Sequence, residues 1–148
     1  MFLHRLNKYQ DAIEKFEKAI ELEPNYVDAY LNLGIILSEI GKYKESIEKF
    51  KKVTNLDDSS IEAYFNWGSS LIKLKKYKEA IEKLKKVVEL KPDYADAYFN
   101  WAICLGELGE YKDAIKKIEN VIKIKPDFVN SNALLLFFKE KLKEDKNN

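Results

Sequence analysis

The chain has a single cysteine, Cys104, and a single histidine, His4. One cysteine excludes an internal disulfide and any cysteine-rich zinc site. The lone histidine lies in a short N-terminal turn with no second histidine near it and Cys104 on a distant helix, so neither a metal site nor a Cys–His pair is expected. No charge surplus exists either: 26 basic residues face 25 acidic ones, a formal net charge of +1. That balance argues against a nucleic-acid binder, which needs a basic excess or patch. The longest apolar run is "ALLLFF", Ala133 to Phe138, far short of the ~20 residues that span a bilayer. The opening "MFL" passes at once into "HRLNKYQDAIEK", so there is no secretory apolar core, and a cytoplasmic location is expected. The five glycines are isolated and form no phosphate-cradling loop. The carboxylates are periodic and solvated, with no sign of a raised pKa. No catalytic residue, metal or cofactor is therefore expected.

What is present is repetition. "VDAYLNLG" starts at Val27, "IEAYFNWG" at Ile61 and "ADAYFNWA" at Ala95, each 34 residues after the last. "YQDAIEKFEKAIELEP" at Tyr9 returns, modified, at Tyr43, Tyr77 and Tyr111 with the same period. A fixed period of this size marks a stacked array of small units. Each half-unit reads as an amphipathic helix. In the Tyr77 copy, Tyr77, Ala80, Ile81, Leu84, Val87 and Val88 recur at three- and four-residue spacing, with lysine and glutamate between them. Helices are predicted over roughly 9–22, 27–40, 43–56, 61–74, 77–90, 95–108, 111–124 and 128–143. The pairs Glu45/Lys49 and Glu82/Lys86 have i,i+4 spacing in the favourable order.

Punctuation supports these boundaries. Pro24, Pro92 and Pro126 follow the second helices as stop signals. Asp58 stands in that place in the second copy, so "NLDDSS" must set its own turn. Gly41 and Gly109 sit between paired helices, where positive φ is useful; Lys75 holds the equivalent place in the middle unit. Small residues recur on both helices: Gly34, Gly68 and Ala102 on the first, Ala12, Ser46, Ala80 and Ala114 on the second. They let two backbones approach, and close packing must recover the helix propensity that glycine forfeits, about 1 kcal/mol.

On these residues the chain resembles the tetratricopeptide repeat (TPR) family. The first helices match through Tyr30, Leu33 and Gly34; Tyr64, Trp67 and Gly68; and Tyr98, Trp101 and Ala102. The second helices match through Tyr77, Ala80, Leu84, Val87 and Pro92, through Tyr111, Ala114, Ile118, Val121 and Pro126, and through Tyr9, Ala12, Phe16, Ala19 and Pro24. The resemblance implies an all-α, right-handed superhelical solenoid of antiparallel helix pairs forming one domain. Full repeats cover 27–60, 61–94 and 95–128, after a partial unit 1–26 and before a terminal helix 128–143 and a disordered tail 144–148. It implies binding of peptides or protein surfaces, with no chemistry of the chain's own.

The resemblance also places the first helices on a concave, peptide-binding groove. Unit position two then contributes Asp28, Glu62 and Asp96, and position five Leu31, Phe65 and Phe99. Position six contributes Asn32, Asn66 and Asn100, and position nine Ile35, Ser69 and Ile103. The asparagine amides either hold the backbone of an extended peptide or bond locally and face water. The acids either bias the ligand toward lysine and arginine or only stabilise helix N-termini. Glu39 and Glu107 would add to that negative field, while Lys73 opposes it. The apolar residues either dock a partner's side chains or are buried within the stack. With no cation at positions two, five or nine, a chaperone C-terminal carboxylate peptide is not an expected ligand. The lysine pairs 51/52, 85/86 and 116/117 lie on second helices, diluted by glutamates, and Trp67 and Trp101 are read as core.

Both ends look sticky. "FLHRL" resembles only the last turn of a first helix, which leaves the Tyr9 helix partly uncovered. At the other end six of the nine residues from Leu134 to Leu142 are apolar and cannot all pack on one neighbour. Phe2, Leu3, Tyr9, Phe16, Leu134, Phe137 and Phe138 are thus candidate end contacts, whether to the rest of a longer array or to a second copy. The leading function is a non-enzymatic scaffold for a protein or peptide with apolar and basic side chains. The competing one is a homo-oligomerising structural repeat; neither nucleic acid nor membrane is an expected partner.

Overall fold

The computed structural model describes the backbone of residues 2–147 and the side chains of 8–145. Among the described residues the chain forms eight α-helices and no strand: α1 (Phe2–Leu22), α2 (Val27–Glu39), α3 (Tyr43–Leu56), α4 (Ile61–Lys73), α5 (Tyr77–Leu90), α6 (Ala95–Glu107), α7 (Tyr111–Ile124) and α8 (Ser131–Asn147). The all-α helix-pair repeat follows the 34-residue period. The helices gather into two compact units, Met1–Leu74 and Lys75–Asn148, so the division falls inside the middle repeat.

The turns inside the pairs are built alike. Gly41 and Gly109 have φ of +83° and +77°, and Lys75 takes φ of +58° in the same role. A lysine there tolerates a left-handed backbone that costs an L-residue roughly 1–2 kcal/mol. The proline-free turn is set by its own polar side chains. The Asp57 carboxylate accepts from the Ser59 amide at 3.0 Å and from its hydroxyl at 2.6 Å, and Ser60 caps α4 by accepting from the Ala63 amide at 3.4 Å. The two Ser59 bonds hold the Asp57 carboxyl below its ordinary value.

Three expectations are corrected. First, α1 is one continuous helix from Phe2 to Leu22, with no break before Tyr9. Asn7 stands at the turn position of Gly41 and Gly109 but stays helical, and no glycine or proline interrupts the run. Second, α8 begins at Ser131 instead of 128 and continues through the expected tail to Asn147. Asn130, at φ of +67°, completes the preceding turn, and a 2.7 Å bridge from Lys141 to Glu144 supports the extension. Third, the second-helix ion pairs form at i,i+3: Lys42 to Glu45 at 3.5 Å and Lys85 to Glu82 at 2.8 Å. Both are solvent-exposed and contribute little.

In the first unit, Ile13 of α1 packs with Leu33 and Leu37 of α2. A second cluster joins Phe50 and Val53 of α3 to Ala63 of α4. Gly34 is what admits Phe50: a Cβ added there would lie 2.6 Å from Cε1 of the ring. Three hydroxyls also meet, with Ser70 3.0 Å from Ser46 and 3.2 Å from Ser38. Ser46 donates to the Tyr43 carbonyl, so Ser70 donates to Ser46 and Ser38 donates to Ser70. All three hydroxyls are thereby partnered, as burial requires. In the second unit the core is Leu84 and Val87 of α5, Ala97, Ala102 and Leu105 of α6, and Ile118 and Val121 of α7, with Phe138 of α8.

Candidate functional site

In the first unit, Asp28 and Glu62 are exposed in the first turns of α2 and α4. Neither carboxylate has a hydrogen bond or ion pair among the described residues, so both are available to a ligand. The amides behave otherwise. Asn32 donates Nδ2 to the Asp28 carbonyl at 2.8 Å, and Asn66 donates to the Glu62 carbonyl at 2.9 Å. Each therefore directs its donor at its own helix and leaves its amide oxygen as the outward group. Ser69 likewise donates to the Phe65 carbonyl at 3.0 Å. Leu31 and Ile35 are half-buried against the Phe50–Val53–Ala63 cluster. Phe65 is half-buried.

In the second unit, Asp96 is exposed in the first turn of α6. Asn100 is half-buried and, unlike Asn32 and Asn66, makes no side-chain hydrogen bond among the described residues. Phe99 packs on Phe128, ring centroids 4.9 Å apart and tilted by 37°. Ile103 lines a cavity of about 310 Å³ together with Gly106, Glu107 and Tyr111, and with Leu134, Phe137 and Phe138 of α8. One expected groove residue is thus joined to three of the expected end residues. Among the described residues, Glu107 is the one charged side chain lining this cavity. Its carboxylate accepts a 3.3 Å hydrogen bond from the Tyr77 hydroxyl. Burial, then the charge of Glu107, push the Tyr77 phenol above its ordinary value. Lys141 lies 5.9 Å from the Phe137 ring, but Glu144 holds its ammonium group.

The end residues separate. Phe2 and Leu3 lie outside the described side chains, as does His4. Tyr9 and Phe16 are half-buried. On α8, Phe138 is only 3% exposed, against 47% for Phe137 and 63% for Leu136. Phe138 is therefore core rather than a free end contact. Its ring fills the space above Gly106, where an added Cβ would lie 2.4 Å from Cε1. Sequence reading missed this socket. Its signal was a glycine out of phase with Gly34 and Gly68, at a position where the other units carry Ser38 and Ile72.

Cys104 is fully buried, and burial raises its thiol pKa to about 12. An ordinary thiol titrates near 9.0, so above that pH an unfolded chain binds fewer protons than the folded one. Stability contributed by this group is whole below pH 9 and falls as the pH climbs toward 12, by about 1.4 kcal/mol per pH unit. Urea titrations between pH 8 and pH 11 should show wild type losing ground relative to Cys104→Ala; a constant gap between the two would contradict the assignment. Among the described residues no group of three or more histidine, cysteine or acidic side chains could hold a metal ion. None of the described helices is long and apolar enough to cross a membrane.

A TPR-repeat family model matches residues 3–41 and 68–104, and two tetratricopeptide-repeat models match 95–128 and 27–60. Comparison with curated proteins gives no match. Among solved structures, a crystal structure of MamA superposes with a TM-score of 0.89 at 31% identity, over 95% of this chain and 76% of that one. YrrB, described as a TPR protein with an unusual peptide-binding site, superposes at 0.82 with 23% identity, over 96% and 73%. The first TPR domain of Spaghetti (RPAP3), bound to the HSP90 peptide SRMEEVD, gives 0.76 and 23%, over 79% and 93%. The last two likenesses are of fold.

Proposed function

Because this chain belongs to the tetratricopeptide repeat family, we propose that it is a non-enzymatic scaffold which captures an extended partner segment on its first helices. The ligand carries apolar and basic side chains. The observation that carries this reading is the cavity between α6 and α8. Ile103, Leu134 and Phe137 offer an apolar wall, and Glu107 is the charged group beside it. An arginine or lysine fits such a place, its aliphatic stem on the apolar wall and its head on the carboxylate. Asp96 adds to the same preference within this unit, and Asp28 and Glu62 offer the same chemistry in the first. The asparagines contribute outward acceptors at Asn32 and Asn66 and a free amide at Asn100. A chaperone C-terminal carboxylate peptide is a poor match, since positions two, five and nine of the first helices hold acids, apolar residues and serine. A single unpaired thiol suits the cytoplasm, where we place the protein.

A second reading, self-association, is favoured by one observation: Val129, Leu136 and Phe137 are 75%, 63% and 47% exposed near or on α8. A peptide array probed with wild type and with Phe137→Asp decides between them. Peptide capture requires selective retention of basic–apolar sequences by a monomer, weakened at least tenfold in the variant. A concentration-dependent dimer that Phe137→Asp dissociates, with no peptide retained, would overturn capture in favour of assembly.

A further inference from the structure

Lys85 on α5 and Lys117 on α7 come from separate lysine pairs, and the fold brings both to one indole. The Lys117 ammonium lies 3.8 Å from the centroid of the Trp101 ring, and that of Lys85 lies 6.0 Å from it. Trp101 is half-buried rather than sealed in the core. It lines a cleft of about 510 Å³ formed by α5, α6 and α7, with Ile81, Leu105 and Leu108 as its apolar wall. This cleft shares no residue with the Glu107 cavity, and its four lysines, Lys78, Lys85, Lys116 and Lys117, outnumber its three carboxylates.

The carboxylates around it are unevenly committed. Glu82 bridges to Lys85 at 2.8 Å, and Asp113 bridges to Lys116 at 2.8 Å. Lys117 has no carboxylate bonded to it among the described residues and sits beside two other ammonium groups. Burial is the main cause that lowers its pKa; Asp113 opposes the shift, while Lys116 and Lys85 add to it. A cation desolvated on an aromatic face and crowded by like charges is relieved by an incoming anion.

We propose that the Trp101 cleft is a second binding site, which takes an acidic segment of a partner protein. A glutamate or aspartate carboxylate takes the Lys117 ammonium above the indole, with Lys85, shared with Glu82, as the second cation, and an apolar neighbour packs on Ile81, Leu105 and Leu108. One carboxylate between two lysines forms charge-assisted bonds. A phosphate chain fits worse, because its neighbouring charges would meet Glu82, Glu110 and Asp113 at the same cleft.

The test uses the chain with Trp67→Phe, which leaves Trp101 as the only indole. Emission is followed while acetyl-Leu-Glu-Leu-amide, its glutamine counterpart or oligothymidylate is added at low ionic strength. The glutamate peptide should give a saturable change that added salt weakens. Its affinity should fall at least tenfold in Lys85→Gln/Lys117→Gln and stay unchanged in Lys51→Gln/Lys52→Gln. Calorimetry on protein with both tryptophans makes the same comparison should Trp67→Phe impair folding. No binding, equal binding of the glutamine peptide, or an unaltered affinity in the double variant would overturn the site. Tighter binding of oligothymidylate would overturn the protein partner in favour of nucleic acid.

Discussion

Phe138→Asp is expected to detach α8 from its unit, lowering stability by about 4 kcal/mol or more. Truncating a buried phenylalanine costs about 3–5 kcal/mol, and a carboxylate left in that apolar space adds its desolvation. The neighbouring Phe137→Asp should cost less than about 1 kcal/mol, since that ring is half-exposed. The two residues are adjacent and chemically identical, so the contrast isolates packing from composition. Urea denaturation of both variants measures it. Comparable losses would mean that α8 does not seat on Gly106 as described.

Phe50→Ala should cost about 3–5 kcal/mol for the same reason, as Phe50 is wholly buried. The sharper experiment exploits the chain's own repeats. Where the first repeat pairs Gly34 with Phe50, the third carries Ala102 and Ile118, both fully buried. Gly34→Ala places a methyl 2.6 Å from the Phe50 ring; overpacking of about 1–3 kcal/mol should exceed the roughly 1 kcal/mol gained in helix propensity. Phe50→Ile alone leaves a void. The double variant recreates the third-repeat combination, so its loss should be smaller than the sum of the single losses by at least about 1 kcal/mol. Strict additivity would show that the two positions do not share one packing volume.

The repeat made the helices legible because the same apolar spacing is written four times, and the stops because all three prolines stand directly after second helices. What escaped depended on side chains from different repeats meeting. Nothing local marks Phe138 as buried and Phe137 as open; the difference comes from Gly106, more than thirty residues earlier. The asparagine recurrence was legible as a pattern but not as a geometry, because an amide donor one turn from a carbonyl can satisfy itself within the helix. The lysine pairs were visible as surface charge, while their convergence on Trp101 required α5 and α7 to be set beside each other. The start of α1 lies earlier than expected because the family's turn has a place at Asn7 but no residue there that forces it.

The central claim is that Glu107, beside Ile103 and Phe137, selects a basic side chain in an apolar setting. The direct measurement is a calorimetric titration of wild type and Glu107→Lys, both carrying Lys85→Gln/Lys117→Gln so that the Trp101 cleft takes no part, with matched peptides that differ only by arginine or glutamate at one position between leucines. Wild type should prefer arginine by about tenfold or more, and Glu107→Lys should reverse that order. An unchanged preference in the charge-reversed protein, with its fold intact by circular dichroism, would contradict the account.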